Sequence, residues 1–159
     1  MAAVLGLTIL ASTSVLAADR DQPTQVEADH LLIDDESATS IYSGGVKLQR
    51  GSLRVDADKV TIKSPADSSQ TMLILGQPAH FRQRPEGENQ DVRGEADRID
   101  YDVDSQQLIL RGKARLWRSG DQFNSEKIEY NGKSKQVRAG DPDSKSRVHI
   151  TIQPKPNNH

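Results

Sequence analysis

VRGEADRIDYDVDSQQLILRGKARLWRSGD, residues 92–121, reads as one strand, a polar turn and a return strand through Gly112. The same plan occurs four times. The acidic residue of an Ala-Asp pair marks each copy: Asp29, Asp58, Asp97 and, in the degenerate pair Ser125-Glu126, Glu126, spaced 29, 39 and 29 residues apart. Apolar or small residues stand three before, one before, two after and four after each marker. They are Val26, Ala28, Leu31 and Ile33; Val55, Ala57, Val60 and Ile62; Gly94, Ala96, Ile99 and Tyr101; Phe123, Ser125, Ile128 and Tyr130. Each side alternates with period two, as a half-buried strand does, and the phase flips at the marker. A slip of one residue turns the whole apolar set outward. A flip at the same place in four copies therefore predicts a bulge or corner at which each strand bends between two sheets.

Outward from this stretch, turn chemistry recurs at the intervals an all-β domain requires. The first copy turns at Asp34-Asp35-Glu36-Ser37 and returns through Ile41, Gly44-Gly45, Val46 and Leu48. Arg50-Gly51-Ser52 is a short hairpin connection. The second copy turns at Ser64–Ser69 and returns through Met72, Ile74, Gly76 and Phe81. A wholly polar loop, 82–91, accounts for the longer second interval. The third copy returns through Leu108, Leu110, Gly112, Ala114 and Leu116. The fourth turns at Asn131-Gly132, the strongest hairpin dipeptide in the chain. A last strand alternates Val148, Ile150 and Ile152. No segment after residue 18 repeats its apolar residues at a helical period, so the expected fold is an all-β sandwich, jelly roll or roll.

Residues 1–18 carry no charged side chain and end in Val15-Leu16-Ala17-Ala18, which reads as a signal peptide cleaved after Ala17 or Ala18. The basic residues that usually precede such a run are missing. The alternative keeps these residues as a membrane anchor, 18 being about the lower limit for a span. The domain is then 19–153, followed by a polar, proline-broken tail, 154–159. Export would permit disulfides, yet the chain has no cysteine, so packing and backbone pairing alone must hold it together. A net charge of −2 offers nothing to nucleic acid. Apolar content of 34% and aromatic content of 4% are low. They fit sheets with one wet face and a thin core, or a core that the protein itself does not fill.

No constellation points to catalysis. Asp100, Asp102 and Asp104 open like a calcium loop, but Ser105 stands where glycine is needed and Arg111 where the bidentate glutamate belongs. Period two places them on a wet face, opposite Ile99, Tyr101 and Val103. His30, His80, His149 and His159 lack ligand spacing. Nucleophile elbow, phosphate loop and dinucleotide fingerprint are all missing. The chain is read as a non-enzyme without metal or cofactor. Trp117 follows Leu116 and so faces the other side, as a contact-surface aromatic or a packed edge residue.

Asp21-Gln22-Pro23, Gly44-Gly45-Val46, Ala57-Asp58-Lys59-Val60, Gly76-Gln77-Pro78-Ala79-His80-Phe81 and Leu110-Arg111-Gly112-Lys113-Ala114, in this order behind a leader, resemble the LptA/OstA-like family of periplasmic lipopolysaccharide-transport proteins. Each motif is weak alone; the ordered set, which covers the chain after its leader, is specific. The resemblance implies an OstA-like β-jellyroll, two antiparallel sheets in an open V, that holds lipid A acyl chains between them and bridges the inner and outer membranes. It implies as partners lipopolysaccharide, an LptC-like inner-membrane protein and the N-terminal domain of an LptD-like outer-membrane protein. An LptC-like tethered component of the same system is the alternative, and it would retain residues 1–18. The missing basic leader residues and the short polar tail depart from the family pattern.

On that reading the inward residues line an acyl-chain groove: Leu31, Ile33, Ile41, Val46, Leu48, Val55, Val60, Ile62 and Ile74 from the first two copies, and Phe81, Ile99, Tyr101, Leu108, Leu110, Leu116, Ile128 and Tyr130 beyond them. Lys47, Arg50, Arg54, Arg82 and Arg84 stand near strand ends or in the long loop, where they could meet head-group phosphates. The first strand (Thr24, Val26) and the last (Val148, Ile150, Ile152) are sheet edges open to head-to-tail self-association.

Overall fold

The computed structural model describes residues 19–154; the leader and most of the tail lie outside the described residues. After a short 3₁₀ turn, Asp19–Asp21, come ten strands: β1 Gln25–Glu27, β2 His30–Asp34, β3 Thr39–Arg50, β4 Leu53–Lys63, β5 Thr71–Gln83, β6 Val92–Asp102, β7 Gln107–Arg118, β8 Asp121–Asn131, β9 Gln136–Ala139 and β10 His149–Thr151. All neighbours are antiparallel, in the order β1-β3-β4-β5-β6-β7-β8-β10, with β2 extending β3 beside β1 and β9 extending β8. The sheet does not close on itself. β1 and β2 form one free edge, β9 and β10 the other.

The predicted bend is a line of bulges that crosses the whole sheet. Register shifts fall at Ser43/Val46, Asp56/Lys59, Leu75/Ala79, Glu95/Arg98 and Arg111/Ala114. At the line, Gly44 (φ 82°) and Gly45 (φ 52°) on β3, and Gly112 (φ 79°) with Lys113 (φ 49°) on β7, take left-handed backbone. The marker acids explain two of these glycines. A Cβ added to Gly44 would lie 2.7 Å from the Asp29 Cβ, and one added to Gly112 would lie 2.8 Å from Asp97 Oδ2. The aspartates occupy the space that any other residue would need.

The line folds the sheet onto itself. Gly94 pairs with Leu116 on one half, yet its absent Cβ would touch Leu110 of the other half at 3.0 Å. Phe81 and Tyr101, also from opposite halves, pack with their rings tilted by 60° and centroids 5.0 Å apart. Between the halves lies a single apolar core. Its rows follow from register alone, because directly paired residues share a face. One row runs Leu31, Tyr42, Val60, Ile74, Ile99, Leu110, Ile128, Ala139 across the strands. On the other half Val26, Leu48, Val55, Phe81, Gly94, Leu116, Phe123, Ile150 form its counterpart.

One turn reading needs correction. Asn131-Gly132 does not make a two-residue hairpin: the Asn131 side chain instead accepts from the Lys133 and Ser134 amides and organises a longer turn. Two-residue turns instead join Arg50 to its partner Leu53 through Gly51-Ser52, and Arg118 to its partner Asp121 through Ser119-Gly120, the latter with both residues at positive φ.

Candidate functional site

Fourteen of the seventeen expected inward residues are buried: Val46, Leu48, Val55, Val60, Ile62, Ile74, Phe81, Ile99, Tyr101, Leu108, Leu110, Leu116, Ile128 and Tyr130. The other three differ. Ile41 is a correction: it pairs with Leu32 and Thr61 and stands on the outer face, and Tyr42 takes the inward place. The physical reason is that the bulge flips the phase on β4, β6 and β8 but not on β3, whose two glycines insert an even step. Leu31 and Ile33 do lie on inward rows, but β2 is a free edge with no strand beyond it, and they are 56% and 57% exposed. The interior is a filled core with an exposed apolar margin. Between Phe81, Val92, Tyr101, Leu108 and Tyr130 the remaining void is only about 10 Å³.

Opposite the bulge line the two halves meet in a polar seam. The Tyr101 hydroxyl donates to Gln83 Oε1 at 2.9 Å, joining the two halves. Arg50 on β3 donates through Nη1 to Gln70, just before β5 on the opposing half. Arg118 donates to the Lys135 carbonyl at 2.7 Å. Asp19 accepts from the Ser52 amide at 2.7 Å and from Gln83 Nε2 at 2.9 Å, drawing the N-terminal turn over the same end. Burial pushes the Tyr101 phenol up from its ordinary value. The loop 84–91 lies along this seam, with Pro85 buried and Glu88 bound to Lys135.

The expected cationic rim does not assemble. Lys47 faces Asp56 at 3.9 Å on the outer surface, and Arg54 Nη1 donates to the carbonyls of Gly51 and Leu53. Arg82 and Arg84 both bind Asp91. Burial alone would raise the Asp91 carboxyl, but the hydrogen bonds from both guanidinium groups outweigh it and hold it below its ordinary value. These two arginines therefore pin the loop. Arg50 alone turns inward, at 5% exposure.

Asp100 bridges Arg98 and Arg111 on the outer face, and Asp102 accepts from Ser69 and the Ser105 amide, so both are structural carboxylates. Trp117 is half-buried on that face beneath the Arg93 guanidinium, 5.6 Å from its ring centroid. Reasoning from sequence missed Leu53, Met72 and Val92 as inward residues, although extending the alternation from Val55, Ile74 and Gly94 would have found them. It also missed the Gln83–Tyr101 and Asp19 contacts, which span the seam and leave no local pattern.

Residues 25–136 match the family model described as LptA/(LptD N-terminal domain) LPS transport protein. The chain belongs to this family. Among LptA-family relatives, the lipopolysaccharide export system protein LptH of Pseudomonas aeruginosa is 28% identical over 96% of this chain and 93% of its own length. The lipopolysaccharide export system protein LptA of Haemophilus influenzae is 30% identical over 94% of this chain and 89% of its own. The crystal structure of LptH, described as the LptA-homologous periplasmic component of the conserved lipopolysaccharide transport device from Pseudomonas aeruginosa, superposes with a TM-score of 0.78. That match covers 87% of this chain and all of the other at 28% identity. The all-β, open jellyroll is thus the family fold, and the relatives are lipopolysaccharide transport proteins.

Proposed function

We propose that this chain is a periplasmic lipopolysaccharide carrier that spans the gap between inner and outer membranes, shielding lipid A acyl chains between the two halves of its sheet. The observation that carries the reading is the pair of apolar cross-strand rows. They run from edge to edge inside the fold, and each carries an exposed apolar residue at one end, Leu31 on the β2 edge and Ile150 on the β10 edge, with Ile33 exposed beside Leu31 on β2. A soluble domain with no apolar ligand has little reason to leave such a margin open. Lipid enters by parting the halves along the polar seam, whose hydrogen bonds are each worth about 0.5–1.5 kcal/mol net and are readily replaced by water. Each buried CH₂ contributes roughly 0.8 kcal/mol, so several acyl chains together offset the lost contact between the halves. Escape into water is then slow, and transfer proceeds from groove to like groove.

The free edges supply those like grooves. Strand pairing between β1–β2 of one protomer and the β10 edge of another is heterologous and does not close, giving a filament. The same edges suit an LptC-like inner-membrane protein and the N-terminal domain of an LptD-like outer-membrane protein, with a cleaved leader as the route of export. Photo-crosslinkers at Ile33, Phe81 and Leu116 are expected to capture lipopolysaccharide, and those at Asp100 and Asp102 on the outer face are not. Equal capture by both sets would sink the proposal.

A further inference from the structure

Among the described residues, Arg50 is the one seam side chain with a buried polar atom left unpartnered. The residue is 5% exposed and its buried Nε has no hydrogen-bond partner among the described residues. Its one side-chain bond goes to a neutral amide, Gln70, rather than to a carboxylate. Among the described residues it forms no ion pair, whereas Arg82, Arg84, Arg98, Arg111 and Arg115 all do. An arginine cannot shed its charge by deprotonating, so a buried one without an anion is expensive to keep. Arg50 also lines the largest cleft of the seam, about 800 Å³, which the N-terminal turn and the loop 84–91 enclose. Arg20 and Lys133 stand on its walls. Acidic groups line it too: Asp19 attracts Arg50 from beyond ion-pair distance while its oxygens accept from Ser52 and Gln83, and Glu88 is bound by Lys135. Glu86 and Asp104 complete the acidic side. Tyr101 and Gln83 line both this cleft and the small void behind it, so their hydrogen-bonded side chains stand between the cleft and the core.

We propose that the seam cleft is a phosphate-monoester site with Arg50 as its anchor, placed to hold the phosphorylated head of an amphiphile whose chains lie between the halves. This rests on the lipid-carrier reading. A guanidinium at the boundary between a polar cleft and an apolar core suits that ligand, because the cation meets the phosphate where the chains begin. Bidentate pairing occupies two of its nitrogens and supplies the missing counter-charge. The site also gives the carrier a fixed register: the head lodges at the seam, and the chains follow the rows inward.

The test compares binding of lipopolysaccharide, the same lipopolysaccharide dephosphorylated by alkaline phosphatase, and inorganic phosphate to the purified protein and to Arg50→Gln. The wild type is expected to bind the phosphorylated form at least tenfold more tightly, as one charge-assisted pair implies. Arg50→Gln is expected to bind both forms at the weaker level. Titration with inorganic phosphate alone, followed at the amide resonances of Gly51, Ser52 and Gln83, separates the two sources of phosphate. Shifts that saturate identify a site open to free phosphate. Shifts seen only with the glycolipid identify one that needs the attached lipid. Equal wild-type affinity for both lipopolysaccharide forms would overturn the site while leaving the carrier reading intact. Failure to bind either form, together with saturable phosphate shifts lost in Arg50→Gln, would refute the carrier and keep the site. Should Arg50→Gln not fold, the wild-type comparison decides alone.

Discussion

Gly44→Ala tests the bulge line, because its neighbour Gly45→Ala provides an internal control. Both glycines have positive φ, 82° and 52°, so an alanine at either pays a left-handed backbone penalty of roughly 1–2 kcal/mol. They differ in their surroundings. A Cβ at Gly45 meets nothing within 4 Å, whereas one at Gly44 falls 2.3 Å from Asp29 Oδ2 and 2.7 Å from the Asp29 Cβ. Rotating the carboxylate relieves the first clash but not the second. The backbone must move, and it is tied there by the Asp29 amide donating to the Gly44 carbonyl at 3.0 Å. Overpacking of this kind costs about 1–3 kcal/mol beyond the φ penalty. Urea titrations of the two variants should therefore differ in midpoint by roughly 1 M for a small domain. Placing both substitutions in an Asp29→Gly background removes the Cβ clash, and Gly44→Ala should then cost no more than Gly45→Ala, the cycle cancelling the effect of Asp29→Gly itself. Equal midpoints in the native background, or no rescue by Asp29→Gly, would refute the idea that the marker acids shape the bend.

Ile99→Ala, at a fully buried position, should cost roughly 2–5 kcal/mol, and Ile41→Ala on the outer face about 1 kcal/mol or less. Comparable losses in chemical denaturation would return Ile41 to the core. Asp91→Asn should lower stability by about 1 kcal/mol at neutral pH by unpinning the loop from Arg82 and Arg84. Since the native carboxyl titrates below its ordinary 3.8, its contribution is complete above that value and fades as pH falls through the native one. The gap between wild type and variant should therefore close on acidification, and a gap that persists in strong acid would refute the pairing. Deleting Val148-His149-Ile150 removes most of β10 and should abolish concentration-dependent oligomers in sedimentation while leaving a folded monomer; unchanged oligomers from the folded truncation would exclude this edge.

The four-fold spacing of Asp29, Asp58, Asp97 and Glu126, with apolar residues that change phase at each, determined the all-β fold and the line on which it bends. Those signals are local: period two reports which face of a strand is dry, and a break in it reports a bulge. The same locality explains why fourteen inward residues could be read correctly. Ile41 could not, because whether a bulge shifts phase depends on how many residues each partner strand inserts, and only pairing decides that. Leu31 and Ile33 read as core because alternation reports a face and not whether a strand lies beyond it. The rim arginines show the larger gap. Lys47, Arg54, Arg82 and Arg84 look equivalent to Arg50 in sequence, yet Asp56, nearby carbonyls and Asp91 engage the other four. Only folding the sheet in two brings the end of β3 against Gln70 and seals one guanidinium at the mouth of the core, with no carboxylate in ion-pair contact among the described residues. Charge is written in the sequence; which charge is left without a partner is decided by which strand ends the fold brings together.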